Sequence, residues 1–157
     1  MAAEKAAEYI KSSSILGLGT GSTSDEVLHR LAELLGAKSL TNIQGVPTSL
    51  KTEELARSLD IPLCDFNSTA HIDLTIDGAD EFDAQINVLK GQGGALTREK
   101  IVARASAQYI IAVDESKRVE RLGSICSLPI EVLTFGWTHV AGEIERWGAR
   151  VLRREAV

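Results

Sequence analysis

The sequence predicts an α/β fold built on a doubly wound, largely parallel sheet, and two observations predict it. Short apolar β-like runs alternate with helix-period patterns from one end of the chain to the other. Three glycine-rich or acidic stretches, "GLGTGST", "DGAD" and "DESK", each directly follow one of those runs. Sheets of this kind bind ligands at the carboxyl ends of their strands.

The elements follow in order. "MAAEKAAEYIKSSS" reads as an alanine-rich helix and lacks a signal-peptide core or an Arg/Ser-rich transit pattern. "SILGLG" is the first strand. A helix from about Ser22 to Leu35 then sets Val27, Leu28, Leu31, Leu34 and Leu35 on one face. "NIQGVP" and "IPLCDF" predict strands on either side of the amphipathic "SLKTEELARSLD". "HIDLTID" alternates Ile72, Leu74 and Ile76 and stops at Asp77 and Gly78. "ALTREKIVARASA" predicts a helix whose first turn the Thr97 hydroxyl is placed to cap. "YIIAVD" is nearly all apolar, the pattern of a strand covered on both faces. "LPIEVL" predicts a further strand, "WTHVAGEIERWG" a helix and "ARVLRR" a last strand. Pro47, Pro62 and Pro129 all fall near predicted strand ends, as their missing N–H requires.

A chain of 157 residues is long enough for one domain with a real core. At 44% hydrophobic and 25% charged, it has the composition of an ordinary globular protein. A net charge of -5 argues against a nucleic-acid partner, yet permits a small phosphate, for which one lysine and a few backbone N–H groups suffice. No apolar run reaches membrane-spanning length. Cys64 and Cys126 lie far apart without zinc or redox spacing and read as free, partly buried thiols.

"GLGTGST" begins like a dinucleotide fingerprint but carries Ser22 at the third glycine position, and "NIQGVPTS" ends without the required acid. Two readings of Thr20, Gly21, Ser22 and Thr23 remain: a phosphate or polyol cradle at a helix N-terminus, or a plain turn with Ser22 or Thr23 as N-cap. The acidic stretch "TIDGADEFDAQINVLKGQGGALTREK" is not a calcium loop: with Asp73 at loop position one, Thr75 falls at position three and Ala84 at position twelve, where a bidentate glutamate is needed. Glu81 and Asp83 read as solvated turn residues, whereas Asp77 directly ends a half-buried strand. Lys90 leads into Gly91, Gln92, Gly93 and Gly94, a second anion cradle. Lys90 suits an oxyanion and Glu99 suits a general base, although a glutamate near a helix start also has a dipole reason to be there. Lys117, after "YIIAVD", is either a phosphate-binding cation or a solvated lysine. His29, His71 and His139 show no metal-ligand spacing, and Trp137 and Trp147 read as core or interface residues.

Taken together, "GLGTGSTS", "TIDGADEFD", "LKGQGGALTREKIVA" and "AVDESKRVERLG" resemble, in order and spacing, the A-type ribose-5-phosphate isomerases. The resemblance implies a Rossmann-like fold. It also implies an aldose–ketose isomerase interconverting D-ribose 5-phosphate and D-ribulose 5-phosphate, in the pentose phosphate pathway and, in plants, the Calvin cycle, without metal or organic cofactor. It makes Glu99 the catalytic base and Asp77, Asp80 and Lys90 its catalytic companions, with Asp77 moving the ring-opening proton. The implied substrate loops hold Thr20, Gly21, Ser22 and Thr23, then Asp77, Gly78, Ala79 and Asp80, then Lys90, Gly91, Gln92 and Gly93, and finally Lys117. Gln92 departs from the family's usual glycine run. Family members also continue well past "LPIEVL". Residues 1–133 are therefore expected to form the catalytic domain, and 134–157 the beginning of an incomplete α+β lid or interface domain. A homo-oligomer, dimer or tetramer, is implied, in the cytoplasm or, for a processed plant form, the plastid stroma. The alternative is a sugar-phosphate-binding module without turnover.

Overall fold

The computed structural model describes residues 2–69 and 71–154. In chain order the elements are α1 (Ala2–Ala7), β1 (Ile15–Leu18), α2 (Ser22–Gly36), β2 (Gln44–Pro47), α3 (Leu50–Ser58), β3 (Ile72–Asp77), β4 (Glu81–Phe82), β5 (Val88–Leu89), α4 (Leu96–Ala105), β6 (Ser106–Ile111) and α5 (Trp137–Arg146). Four strands form a fully parallel sheet in the order β2-β1-β3-β6, and β4 and β5 form a separate antiparallel hairpin.

Both faces of the sheet are covered, as a doubly wound fold requires. On one face Leu16, Leu18, Leu74 and Ile76 meet Val27, Leu28 and Leu31 of α2, together with Ala6 and Ala7 of α1 and Ala56 of α3. Each fully buried leucine here contributes roughly 1.5–3 kcal/mol. A second buried cluster joins Val46 and Ile72 to Val102 of α4. Gly17 lets that helix approach: a Cβ there would stand 1.8 Å from Thr75 Oγ1 and 2.7 Å from Val102 Cγ1.

Several expectations change. "IPLCDF" contributes one parallel bridge, Leu63 to Gly45, rather than a strand. The N-cap of α2 is Gly21, with no side-chain cap, rather than Ser22 or Thr23. The Thr97 hydroxyl bonds Glu131 instead of capping α4, whose N-cap is Ala95. The strand read from "YIIAVD" begins earlier, at Ser106, lies at the sheet edge and is only partly covered. "LPIEVL" and the described residues of "ARVLRR" form no strand. Ile130, Leu133 and Leu152 are exposed, so their apolar pattern finds no sheet to pack on. Trp147 is exposed, and Trp137 is stacked under Arg153 at 4.6 Å rather than set in a core. Cys64 and Cys126 are free and half-buried.

Candidate active site

The polar cluster begins where β3 ends. Parallel pairing of β1 with β3 brings the loop after β1 against Asp77, and the Gly19 N–H donates to Ile76 O at 3.0 Å. Only glycine fits at position 19, because a Cβ would come within 2.5 Å of both the Asp77 Cα and its Oδ1. The next residue, Thr20, donates its N–H to Asp77 Oδ1 at 3.1 Å, and Gly78 donates to the same oxygen at 2.8 Å.

Asp77 has no exposed surface. Its Oδ2 accepts from the Tyr109 hydroxyl at 3.0 Å and lies 3.0 Å from Lys90 Nζ. Four donors thus surround the carboxylate, matching its capacity of about four acceptor sites.

Lys90 follows the β4–β5 hairpin, which Asp80 N donating to Leu89 O at 2.8 Å helps to hold. Its ammonium also donates to Gly78 O and lies 3.4 Å from Glu99 Oε1. Glu99, in the first turn of α4, is 6% exposed. Its second oxygen, Oε2, is buried and accepts no hydrogen bond among the described residues. Burial pushes the Glu99 carboxyl above its ordinary pKa against the pull of Lys90, and the charges of Asp77 and Asp80 add to the rise. Burial, together with Asp77 and then Glu99, likewise pushes the Tyr109 hydroxyl up, so it remains a protonated donor.

Between Lys90 and α4 the chain turns through Gly91 (φ 110°) and Gly94 (φ 74°), conformations that favour glycine. Gln92, the non-glycine of this loop, is held on three sides. Its N–H donates to Asp80 Oδ2 at 2.9 Å, its Nε2 donates to Ser127 O at 2.6 Å, and its carbonyl accepts from Arg154 Nη2 at 2.7 Å. Gly93 faces Thr20, since a Cβ on it would lie 3.7 Å from the Thr20 methyl.

Thr20, Asp77, Gly78, Lys90 and Glu99 are therefore linked directly, with Asp80, Gln92 and Gly93 joined to them through the glycine loop. Ala79 is half-buried between Gly78 and Asp80, and Gly91 packs on Leu96. Gly21, Ser22 and Thr23 form the start of α2 beside Thr20, and the two hydroxyls make no hydrogen bond among the described residues. Lys117 lies in a 3-10 turn after β6, and its ammonium makes no hydrogen bond or ion pair among the described residues.

Three contributors were not singled out from the sequence: Tyr109, Thr48 and Thr52. The Thr20 hydroxyl meets Thr48 Oγ1 at 2.7 Å and Thr52 Oγ1 at 3.2 Å. Those hydroxyls are anchored in turn on Leu18 O and Gly19 O, at 2.9 and 3.0 Å. A run of hydroxyls after "QGVP" was the available signal for the two threonines. For Tyr109 there was none, because its place beside Asp77 follows from the β3–β6 register, Thr75 against Tyr109.

Glu81 also departs from expectation. It is fully buried rather than solvated, and its carboxylate collects the N–H groups of Gly123, Ile125 and Cys126 at 2.5–2.6 Å. Asp83 is half-buried and sits at the start of its turn, folding its own loop through Gln85 and Asn87. No group of three or more His, Cys, Asp or Glu among the described residues is arranged to hold a metal ion. A groove of about 860 Å³ lies elsewhere, lined by residues such as Val46, Phe66, Arg98 and Val102, and includes none of the linked cluster.

Comparison with known proteins identifies the family. The family model for ribose 5-phosphate isomerase A (phosphoriboisomerase A) matches residues 44–157. Ribose-5-phosphate isomerase A of Desulfatibacillum aliphaticivorans is 51% identical over 154 residues, covering 98% of this chain and 67% of the relative. A probable ribose-5-phosphate isomerase 2 of Arabidopsis thaliana is 48% identical over 92% of this chain and 55% of its own length. Among solved structures, a D-ribose-5-phosphate isomerase in complex with phospho-erythronic acid superposes with a TM-score of 0.96 at 38% identity, covering 99% of this chain and 68% of that one. The Plasmodium falciparum ribose 5-phosphate isomerase gives 0.86 at 45% identity, covering 91% and 61%. The chain thus spans roughly half to two thirds of the length of the relatives it matches. With a matching family model and a buried Asp–Lys–Glu cluster carried on the motifs "TIDGAD", "LKGQGG" and "LTREK", the chain belongs to the ribose 5-phosphate isomerase A family.

Proposed function

We propose that this protein interconverts D-ribose 5-phosphate and D-ribulose 5-phosphate through a cis-enediolate. The observation that carries the reading is Glu99: one oxygen lies 3.4 Å from Lys90, while the other is buried without a hydrogen-bond partner among the described residues. A buried acceptor left open is costly, and substrate C–H abstraction gives it a use.

In this reading Glu99 takes the proton from C2 of the open-chain aldose. The C–H electron pair becomes the C1–C2 double bond, and the carbonyl electrons move onto O1 beside the Lys90 ammonium. After proton transfer between the two oxygens, Glu99 returns its proton to C1. Lys90 acts in a water-poor setting, where a preorganised charge is worth far more than in bulk solvent. Ring opening by Asp77 requires one of its four donors to leave. Lys90, 18% exposed where Asp77 is fully buried, is the donor able to turn toward the sugar.

The glycine loop Lys90–Gly93 and the turn Thr20–Thr23 are the supports for the substrate's hydroxyls and phosphate. Phospho-erythronic acid, bound by the structural relative, combines a phosphate and hydroxyls with a carboxylate that resembles the enediolate in charge. We read Lys117 as the least supported member of the set, since its ammonium makes no hydrogen bond or ion pair to the cluster among the described residues. The reading also places 134–157 at the beginning of a separate unit, supported by α5 having no buried residue. It includes assembly as a dimer or tetramer, which sedimentation velocity measures.

The experiment is a coupled assay for ribulose 5-phosphate from ribose 5-phosphate. Turnover supports the isomerase. Thermal stabilisation by ribose 5-phosphate without turnover favours the binding-module alternative instead.

A further inference from the structure

We propose that Tyr109 is a positioning residue of this site: its hydroxyl, bonded to Asp77 Oδ2, divides that oxygen between two donors and so keeps the Lys90 ammonium shared between Asp77 and Glu99. The inference rests on the isomerase reading for its kinetic consequences, but the contact itself does not.

The geometry is specific. Tyr109 lies in β6, opposite Thr75 in the parallel register, and its side chain reaches along the same face to the end of β3. Its hydroxyl is 3.0 Å from Asp77 Oδ2, the same oxygen that Lys90 Nζ approaches at 3.0 Å. Lys90 has its other acid, Glu99 Oε1, at 3.4 Å. One cation therefore faces two carboxylates, and its position between them depends on how strongly each attracts it.

Without the hydroxyl, Oδ2 of a carboxylate with no exposed surface would hold Lys90 as its only donor among the described residues. A buried acceptor deprived of one donor concentrates its charge on the donor that remains. Lys90 would be drawn toward Asp77 and away from Glu99 and from any oxyanion that forms beside it. Water is not a ready substitute in so buried a position, because it needs polar partners and room.

The hydroxyl's own ionisation does not complicate the role. Losing its proton would place another negative charge beside Asp77 and Glu99, and burial together with those acids pushes its pKa up. Tyr109 is thus a donor throughout the working range. The groups whose charge Glu99 responds to are Lys90, Asp77 and Asp80, with Tyr109 also in electrostatic contact. Of these, only Lys90 stabilises the ionised base. A shift of Lys90 toward Asp77 therefore raises the pKa of Glu99.

Tyr109→Phe tests this, because it removes one oxygen and keeps the ring. The expected result is a fall in kcat of roughly tenfold, with KM changed by less than about twofold. The acid limb of the kcat profile should move up by roughly one pH unit. The titration of the Glu99 carboxyl carbon, followed by 13C NMR in the wild type and in Tyr109→Phe, should show the same upward move. This second readout separates the two ideas. Wild-type protein without turnover sinks the isomerase reading, while the carbon titration still decides whether Tyr109 sets the charge balance. An unchanged titration overturns the proposal. So does a loss of activity that merely follows a loss of folded protein in thermal melts, with the acid limb left in place.

Discussion

Glu99 Oε1 lies 3.4 Å from the Lys90 ammonium, a distance at which the cation favours the ionised base without closing a short hydrogen bond. The same ammonium lies 3.0 Å from Asp77 Oδ2, so the stronger claim on Lys90 belongs to the acid that is fully buried. Glu99 keeps an oxygen open among the described residues and a raised pKa, which suits a carbon base: more basic than an ordinary carboxylate and free to accept.

The first prediction concerns pH. Burial disfavours ionised Glu99 and raises its pKa above the ordinary glutamate value of about 4.3. Abstraction needs the ionised form, so kcat/KM should rise with pH through that elevated value, and its acid limb should lie above the ordinary one. For stability the sign is the reverse. The raised pKa makes a contribution that is fully present below the unfolded-state value and is lost as pH rises through the folded-state value. In Glu99→Gln this contribution to the pH dependence of urea unfolding should disappear. An acid limb at the ordinary value in the wild type would count against the burial argument.

Lys90→Met should separate catalysis from folding. Losing the oxyanion partner should lower kcat by about a hundredfold or more. It should also cost about 2 kcal/mol in urea unfolding, because Asp77 loses its charge partner but keeps three other donors. Unchanged stability would mean that Asp77 does not depend on Lys90.

Gly19→Ala should be poorly tolerated for a steric reason. Its Cβ would meet Asp77 Cα and Ile76 O at 2.5 Å, backbone atoms that move only with β3. A loss of about 3 kcal/mol is expected, measured by thermal or urea unfolding. A variant as stable as the wild type would show that the two strands separate more easily than their packing implies.

Glu81→Gln tests the buried acid that resembles a surface residue in sequence. Burial raises the Glu81 pKa, but the N–H groups of Cys126, Ile125, Gly123 and Ser124 outweigh it and hold the carboxyl below its usual range. Its contribution to stability is thus present above the unfolded-state value and lost as pH falls through the depressed folded-state value. Glutamine would turn an amide donor toward a cluster of donors. Hydrogen exchange at Gly123, Ile125 and Cys126 should speed up, and Ser127, whose carbonyl holds Gln92 Nε2, should loosen with them. Unchanged protection of these amides would remove Glu81 from the account.

What could be read in the sequence follows from the range of the interactions. The order β1-α2-β2-α3-β3-α4-β6 was legible because each element carries its own periodicity or punctuation, from the leucines of α2 to the alternation that ends at Asp77. Asp77, Lys90 and Glu99 were legible as candidates because each sits at a strand end, a glycine turn or a helix start. Glu81 was misread as solvated because its partners are backbone groups more than 40 residues away, which leave no local mark. The four donors on Asp77 were not visible either, since Tyr109 and Thr20 reach it only through strand register. "LPIEVL" and "ARVLRR" carry strand-like composition, but composition yields a strand only where a neighbouring edge pairs with it. The described residues of both segments pair with none.

The most direct test of the central claim is the rate of interconversion of D-ribose 5-phosphate and D-ribulose 5-phosphate, followed by NMR at one pH above the Glu99 acid limb, for the wild type and Glu99→Gln. Glutamine keeps the size and the packing of the side chain and removes only the base. The account predicts measurable turnover by the wild type and a loss of roughly a hundredfold or more in the variant, with the fold retained in thermal melts. Turnover by Glu99→Gln at the wild-type rate would contradict it.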